Sequence, residues 1–116
     1  MDDRLKQALH FSNYMLTLNN QKRILKEKFK NSTTYYFNGG QFKLSRELIV
    51  YVTQLCNDNI DSKVLIDENN VPVAVAPLQN FLEVITDKYN TAVNDYYTEY
   101  ETLRKNRSVE KLVEHE

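Results

Sequence analysis

Apolar residues recur at helical spacing near the start of the chain. No glycine or proline occurs from Asp2 to Lys30. Acidic residues open this stretch and lysines close it, as the helix dipole favours. We therefore predict a helix over about residues 2–30 with a broad apolar face made of two adjoining stripes. The first stripe holds Leu5, Leu9 and Leu16, and the second holds Phe11, Tyr14, Met15, Leu18, Leu25 and Phe29.

The C-terminal part has the 4-3 apolar spacing that is typical of a coiled-coil seam. Pro77 suits the first turn of a helix, and Glu99 is the single break in the spacing, where Tyr100 can substitute. This predicts a helix over about residues 78–105 that packs on the first helix at Leu9, Leu16, Leu18 or Leu25. The seam consists of Leu78, Leu82, Ile85, Tyr89, Ala92, Tyr96 and Leu103.

The middle of the chain changes to short β-branched and aromatic runs. Asn38-Gly39-Gly40 lies between two such runs and predicts a hairpin over about 33–44, with at least one glycine at positive φ. Ser45 is a typical N-cap for a helix over about 46–57. A second hairpin is predicted over about 63–75, where Pro72 indicates an edge strand because proline cannot donate a ladder hydrogen bond.

This order of elements predicts an α+β fold. Two long antiparallel terminal helices pack together, with a small β-hairpin sheet and a short helix between them. We expect residues 1–107 to form a single domain. Because Asn106-Arg107-Ser108 interrupts the apolar pattern, we expect residues 108–116 to form a tail.

Composition limits the classes of function. The net charge of −1 provides no global field toward nucleic acid or a membrane. The longest apolar run, Val71–Leu78, contains two prolines and is too short to span a bilayer. A single cysteine and a charged start unlike a secretory signal favour a reducing compartment.

Candidate chemistry is sparse. His10, His115 and Cys56 have no partner at metal-ligand or catalytic spacing, so we predict no metal, no cofactor and no catalytic residue. The acidic pairs Glu99 with Glu101 and Asp67 with Glu68 could in principle supply acid–base chemistry. We interpret both pairs as solvated surface, and we predict that the protein is not an enzyme.

Three features are candidates for binding. The face of the last helix opposite the seam carries Val84, Tyr97 and Tyr100, and we predict that these residues bind a protein partner. The run Lys22–Lys30 contains five cations and one anion. It is interpreted as a solvated helix end, with phosphate contact as the alternative. Aromatic residues on the first hairpin could likewise stack on single-stranded nucleic acid, or fill wet packing seams.

Three segments carry a resemblance to a known group of proteins. They are residues 2–11, 19–22 and the aromatic-flanked Asn-Gly-Gly hairpin at 35–42. Together they resemble a family of short proteins of T4-like tailed phages of marine bacteria, nearest to small prohead core (scaffold) proteins. The resemblance implies a non-enzymatic protein in the host cytoplasm during infection. It would pack inside the prohead with copies of itself or with capsid and core proteins.

The same resemblance implies degradation by a maturation protease that cuts after Glu in a Leu/Ile-x-Glu pattern. The matching glutamates here are Glu27, Glu68 and Glu114, although a chain of this composition gives roughly one or two such matches by chance. The alternative function is a nucleic-acid-associated accessory factor of phage recombination or transcription. Salt-dependent binding of single-stranded DNA would favour that alternative, and concentration-dependent self-association would favour assembly.

Overall fold

The computed structural model describes the backbone of residues 2–114 and the side chains of residues 2–106. Within these residues three helices alternate with two antiparallel hairpins, which confirms the predicted α+β fold. The helices are α1 (Asp3–Ser32), α2 (Arg46–Asn57) and α3 (Leu78–Glu114). The strands are β1 (Thr34–Phe37), β2 (Gly40–Lys43), β3 (Lys63–Ile66) and β4 (Pro72–Val75).

The last helix is longer than the sequence predicts. It continues through Asn106-Arg107-Ser108 to Glu114, so the predicted tail is helical as far as that residue. The reason is that this segment has no glycine or proline and therefore nothing to break the helix, even though it interrupts the apolar seam. His115 and Glu116 lie outside the described residues. None of the helices described is both long and apolar enough to cross a membrane.

The chain divides into two compact units, where the sequence predicts a single domain. The helical unit is Met1–Lys28 together with Tyr96–Glu116, and the hairpin unit is Phe29–Asp95. Both long helices therefore contribute residues to each unit.

The core of the hairpin unit forms around the ring of Phe81. Its centroid lies 5.4 Å from that of Phe37 and 5.5 Å from that of Phe42, both in edge-on arrangements. Such aromatic pairs add stabilisation beyond the apolar area that they bury. The buried residues of this core are Phe42, Leu44, Val52, Leu55, Leu65, Val73, Val75, Leu78, Phe81 and Ile85.

This core corrects the predicted packing of the α3 seam. Leu78 and Ile85 are buried with residues of both hairpins and α2, and Leu82 and Tyr89 pack against the same cluster. The hairpins each have an apolar inner face, and the first half of α3 covers it. Periodicity shows that a helix stripe is buried, but it does not show which element buries it.

In the helical unit, α1 has one packed side. Leu18 is buried and Leu25 is half-buried, whereas Leu9 and Leu16 are exposed and do not serve as seam partners. The Lys28 ammonium pairs with the Glu99 carboxylate, the residue that breaks the apolar spacing of α3. This exposed ion pair joins the two helices within the helical unit and contributes little stability.

The start of α1 is exposed to solvent. Every residue from Asp2 to Asn13 is exposed, whereas burial on this helix begins in the following turns, at Tyr14, Met15 and Leu18.

The first hairpin and the short helix follow their local signals. Asn38 and Gly39 have φ values of 47° and 81°, a type I′ turn, which confirms the predicted glycine at positive φ. Ser45 accepts a hydrogen bond from the backbone N–H of Leu48 and caps α2, whose predicted bounds are confirmed.

Gly40 has a different role, which arises from the second hairpin. A Cβ atom at this position would lie 2.5 Å from Cγ2 of Val73 and 3.3 Å from the carbonyl oxygen of Phe37. The absence of a side chain therefore lets β2 approach β4 closely.

We expect Gly40→Ala to lower the free energy of unfolding by about 1–3 kcal/mol, because the new methyl group overlaps Val73. In a Val73→Ala background the same change should cost less, since the overlapping methyl is gone. Urea unfolding of the four chains in this double-mutant cycle measures the difference. If Gly40→Ala lowers the free energy of unfolding equally in both backgrounds, contact with Val73 of β4 is not the reason that glycine is needed at this position.

Candidate functional site: interaction surfaces and the acidic turn

The residues with chemical potential are dispersed. His10 is exposed on α1, and Cys56 is half-buried against the core of the hairpin unit. His115 is outside the described residues. Among those described, no three His, Cys, Asp or Glu side chains meet in a group that could hold a metal ion. The predictions that the protein needs no metal, cofactor or catalytic residue remain predictions.

The carboxylate of Asp67 accepts three backbone hydrogen bonds. Its Oδ1 accepts hydrogen bonds from the backbone N–H groups of Asn69, at 2.9 Å, and Val71, at 2.7 Å. Its Oδ2 accepts from the backbone N–H of Gln41 in β2, at 2.9 Å. The side chain thus closes its own turn and also joins the second hairpin to the first.

The environment of Asp67 corrects its interpretation as solvated surface. The residue is 7% exposed. Backbone hydrogen bonds, first from Gln41 and then from Val71, lower the pKa of its carboxyl group, and partial burial opposes them. Hydrogen bonds donated to a carboxylate favour its charged form. Asp67 is therefore an ionised structural residue.

The neighbouring glutamate completes the junction between the hairpins. The backbone N–H of Glu68 donates to the carbonyl oxygen of Gln41 at 2.9 Å, so both backbone groups of Gln41 bind the β3–β4 turn. The Glu68 side chain is exposed and accepts from Nε2 of Gln41 at 3.2 Å. An aspartate that opens a tight turn is a known Asx signal, but the contact with Gln41 is not local and has no sequence signal.

The three predicted partner-binding residues do not share one face of α3. At about 100° per residue, Val84 and Tyr97 fall about 140° apart around a regular helix. Val84 belongs to the hairpin unit and is 36% exposed, whereas Tyr97 belongs to the helical unit and is 65% exposed. Tyr100 is half-buried, stacks on Tyr96, and lies under the guanidinium of Arg104. Their role in binding a partner remains a prediction, but the premise of a single face was wrong.

The candidate nucleic-acid features are largely engaged within the protein. Tyr35, Phe37 and Phe42 all pack against Phe81, which leaves Tyr36 as the exposed aromatic ring of the first hairpin. In the basic run, Lys22 is half-buried and Lys28 pairs with Glu99. These contacts favour the interpretation of the hairpin aromatic residues as packing residues. They also favour the interpretation of the basic run as a helix end.

A second apolar stripe lies on the far side of α1. We name Leu5, Leu9 and Leu16 the leucine stripe; they are 50%, 49% and 60% exposed. At about 100° per residue, Leu9 lies about 180° from the buried Leu18. The two stripes of α1 are therefore on nearly opposite sides, and the prediction of one broad apolar face was wrong.

A further exposed apolar surface covers the second hairpin, and the sequence prediction missed it. We name it the outer hairpin face: Val64, Ile66, Pro72 and Ala74. In both strands the alternate residues Leu65, Val73 and Val75 are buried. Both faces of this hairpin are thus apolar. The unbroken runs Val64-Leu65-Ile66 and Val71-Pro72-Val73-Ala74-Val75 were the available signal.

The three candidate cleavage glutamates lie in regular structure or a tight turn. Glu27 is exposed on α1, Glu68 is in the β3–β4 turn, and Glu114 ends the described part of α3.

Comparisons with protein-family models, curated proteins and solved structures find no match to this chain.

We expect Asp67→Asn to lower the stability of the fold at neutral pH. We also expect the stability of this variant to change less as the pH is lowered. The unfolded carboxyl titrates near 3.8, and the folded pKa lies below that value. The stabilisation is therefore present above about pH 4–5 and is lost as pH falls through the folded pKa. Thermal unfolding between about pH 7 and pH 2 should show the wild-type and variant curves converging in acid. Glu68→Gln, at the exposed neighbour, is the control, and parallel wild-type and Asp67→Asn curves would contradict the assignment.

Proposed function

We propose that this chain is a non-enzymatic assembly protein of a T4-like tailed phage, a prohead core component that acts through association of helices. The leucine stripe carries the proposal. A helix side that faces only water is normally polar, yet three large aliphatic residues are exposed here on one side of α1.

The geometry of the stripe suits another helix. With Ser12 between Leu9 and Leu16, its positions follow 4-3-4 spacing, which is the spacing that packs helices as a coiled coil. Residues 3–12 are all exposed, so this part of α1 is accessible to another helix. Only about two heptads take part, so each contact is weak and association depends on the concentration of the protein.

The phage setting is supported by the resemblance of residues 2–11 and 35–42 to proteins of such phages. A core protein of this kind associates with its own copies and with capsid or core proteins inside the prohead, in the host cytoplasm. Cleavage after Glu27, Glu68 and Glu114 would then remove it. Since Glu27 lies within α1 and Glu68 in a hydrogen-bonded turn, the protease needs local unfolding at both sites.

The first test places charge on the leucine stripe. Leu5→Glu, Leu9→Glu and Leu16→Glu together should abolish the helix-mediated contact, because three carboxylates cannot enter an apolar seam. Sedimentation velocity over a range of concentrations measures the association. The fold should persist, as these side chains are about half exposed or more.

The matched control adds the same three charges to a different exposed side of α1: His10→Glu, Thr17→Glu and Gln21→Glu. Full association in the control, and weaker association in the stripe variant, support the proposal. Association that is unchanged in the stripe variant contradicts it. Binding of single-stranded DNA that weakens steeply between about 50 and 200 mM salt would favour the accessory-factor alternative.

A further inference from the structure

We infer that β3 is a docking edge for a second copy of this chain, which adds its own β3 in antiparallel orientation to make a four-stranded sheet. This self-contact lies in the hairpin unit and does not rest on the proposed function. Three observations carry it: the hydrogen-bonding groups of the β3 edge, the blocked edge of β4, and the distribution of charge along β3.

The backbone groups of Val64 and Ile66 point away from β4. The pairs of the hairpin are Lys63 with Val75, Val64 with Ala74, Leu65 with Val73 and Ile66 with Pro72. The N–H of Asp67 donates to the carbonyl of Val71, which fixes the alternation of bonded and non-bonded pairs from the turn onward. Val64 and Ile66 fall in the non-bonded pairs. In the described part of the chain, no residue forms a hydrogen bond with their outward N–H or C=O groups.

The edge of β4 is closed by two different means. The carbonyl of Ala74 accepts a hydrogen bond from Nδ2 of Asn38, at 3.1 Å. Pro72 has no N–H to offer. Proteins commonly protect exposed sheet edges in such ways. Since only one edge of this sheet is protected, the unprotected edge of β3 is the one available for strand addition.

Charge and side-chain pattern favour a second copy in antiparallel orientation. If Val64 lies opposite the partner's Ile66, both outward residues of each strand form bonded pairs, with four N–H to carbonyl hydrogen bonds in all. The same register places Lys63, at one end of β3, beside the partner's acidic turn at Asp67 and Glu68. A parallel arrangement would instead place the two lysines side by side.

The outer hairpin face gains from the same contact. Val64 and Ile66 are 57% and 61% exposed, and each would pack against its counterpart across the two strands. Such cross-strand aliphatic pairs stabilise a sheet. The outer hairpin face of one copy would thus continue into that of the second copy across the two-fold axis between them.

The first experiment compares two double variants by sedimentation equilibrium in the background of the charged leucine-stripe variant, so that helix association does not contribute. Val64→Lys with Ile66→Lys should weaken the remaining dimer by about tenfold or more, because lysines would oppose lysines across the edge. Val71→Lys with Ala74→Lys adds the same two charges at exposed positions of the second hairpin that are off the β3 edge, and should leave the dimer intact. Circular dichroism and thermal unfolding confirm that both variants fold.

A cross-linking experiment tests the register. In a Cys56→Ser background, a V64C chain mixed with an I66C chain should form a disulfide-linked heterodimer on mild oxidation, since opposed Cβ atoms lie about 5 Å apart. Either chain alone should cross-link poorly, because its like positions are diagonal neighbours about 7–8 Å apart. The inference is overturned by the absence of a dimer in the stripe-variant background, by equal loss in both lysine variants, or by equal cross-linking of the single chains.

Discussion

The hairpin unit depends on one carboxylate. Each two-stranded hairpin is too small to be stable alone, and the two sheets share no ladder of backbone hydrogen bonds. Asp67 supplies a direct link by accepting from Gln41 on one hairpin and from its own turn on the other. With the turns fixed together, Val73 comes against Gly40, and the inner faces of both hairpins form a single surface that Phe81 and Ile85 cover. The Asp67 contact and the apolar core that α3 covers thus support the same arrangement of the two hairpins.

Many apolar residues of the chain do not belong to this core. The leucine stripe and the outer hairpin face remain exposed after folding, one in each unit. Under the two proposals, each surface receives a second copy of the chain. Two separate self-contacts on one chain build either a closed ring or an open array, according to whether their geometries close on themselves.

The elements that the sequence predicts well are those set by local chemistry. Asn38-Gly39 specifies its turn and Ser45 its cap through contacts within a few residues. The partner of the α3 seam was not predictable, because periodicity identifies a buried stripe without identifying what covers it. The role of Asp67 depends on Gln41, 26 residues away, and no spacing rule connects them. The opposite placement of Leu9 and Leu18 was available from helix geometry, whereas helix geometry does not show which of the two sides is buried.

The turns of this protein have one feature that bears on the unfolded chain. Apart from Gly39, the described residues at positive φ are all asparagines, namely Asn38, Asn59 and Asn70. Asparagine tolerates this backbone conformation less readily than glycine, so each turn retains some local strain. An unfolded asparagine, however, samples fewer conformations than an unfolded glycine and loses less entropy on folding. A chain with only two glycines thus gains part of its stability by restricting the disordered state, a contribution that no contact in the folded structure records.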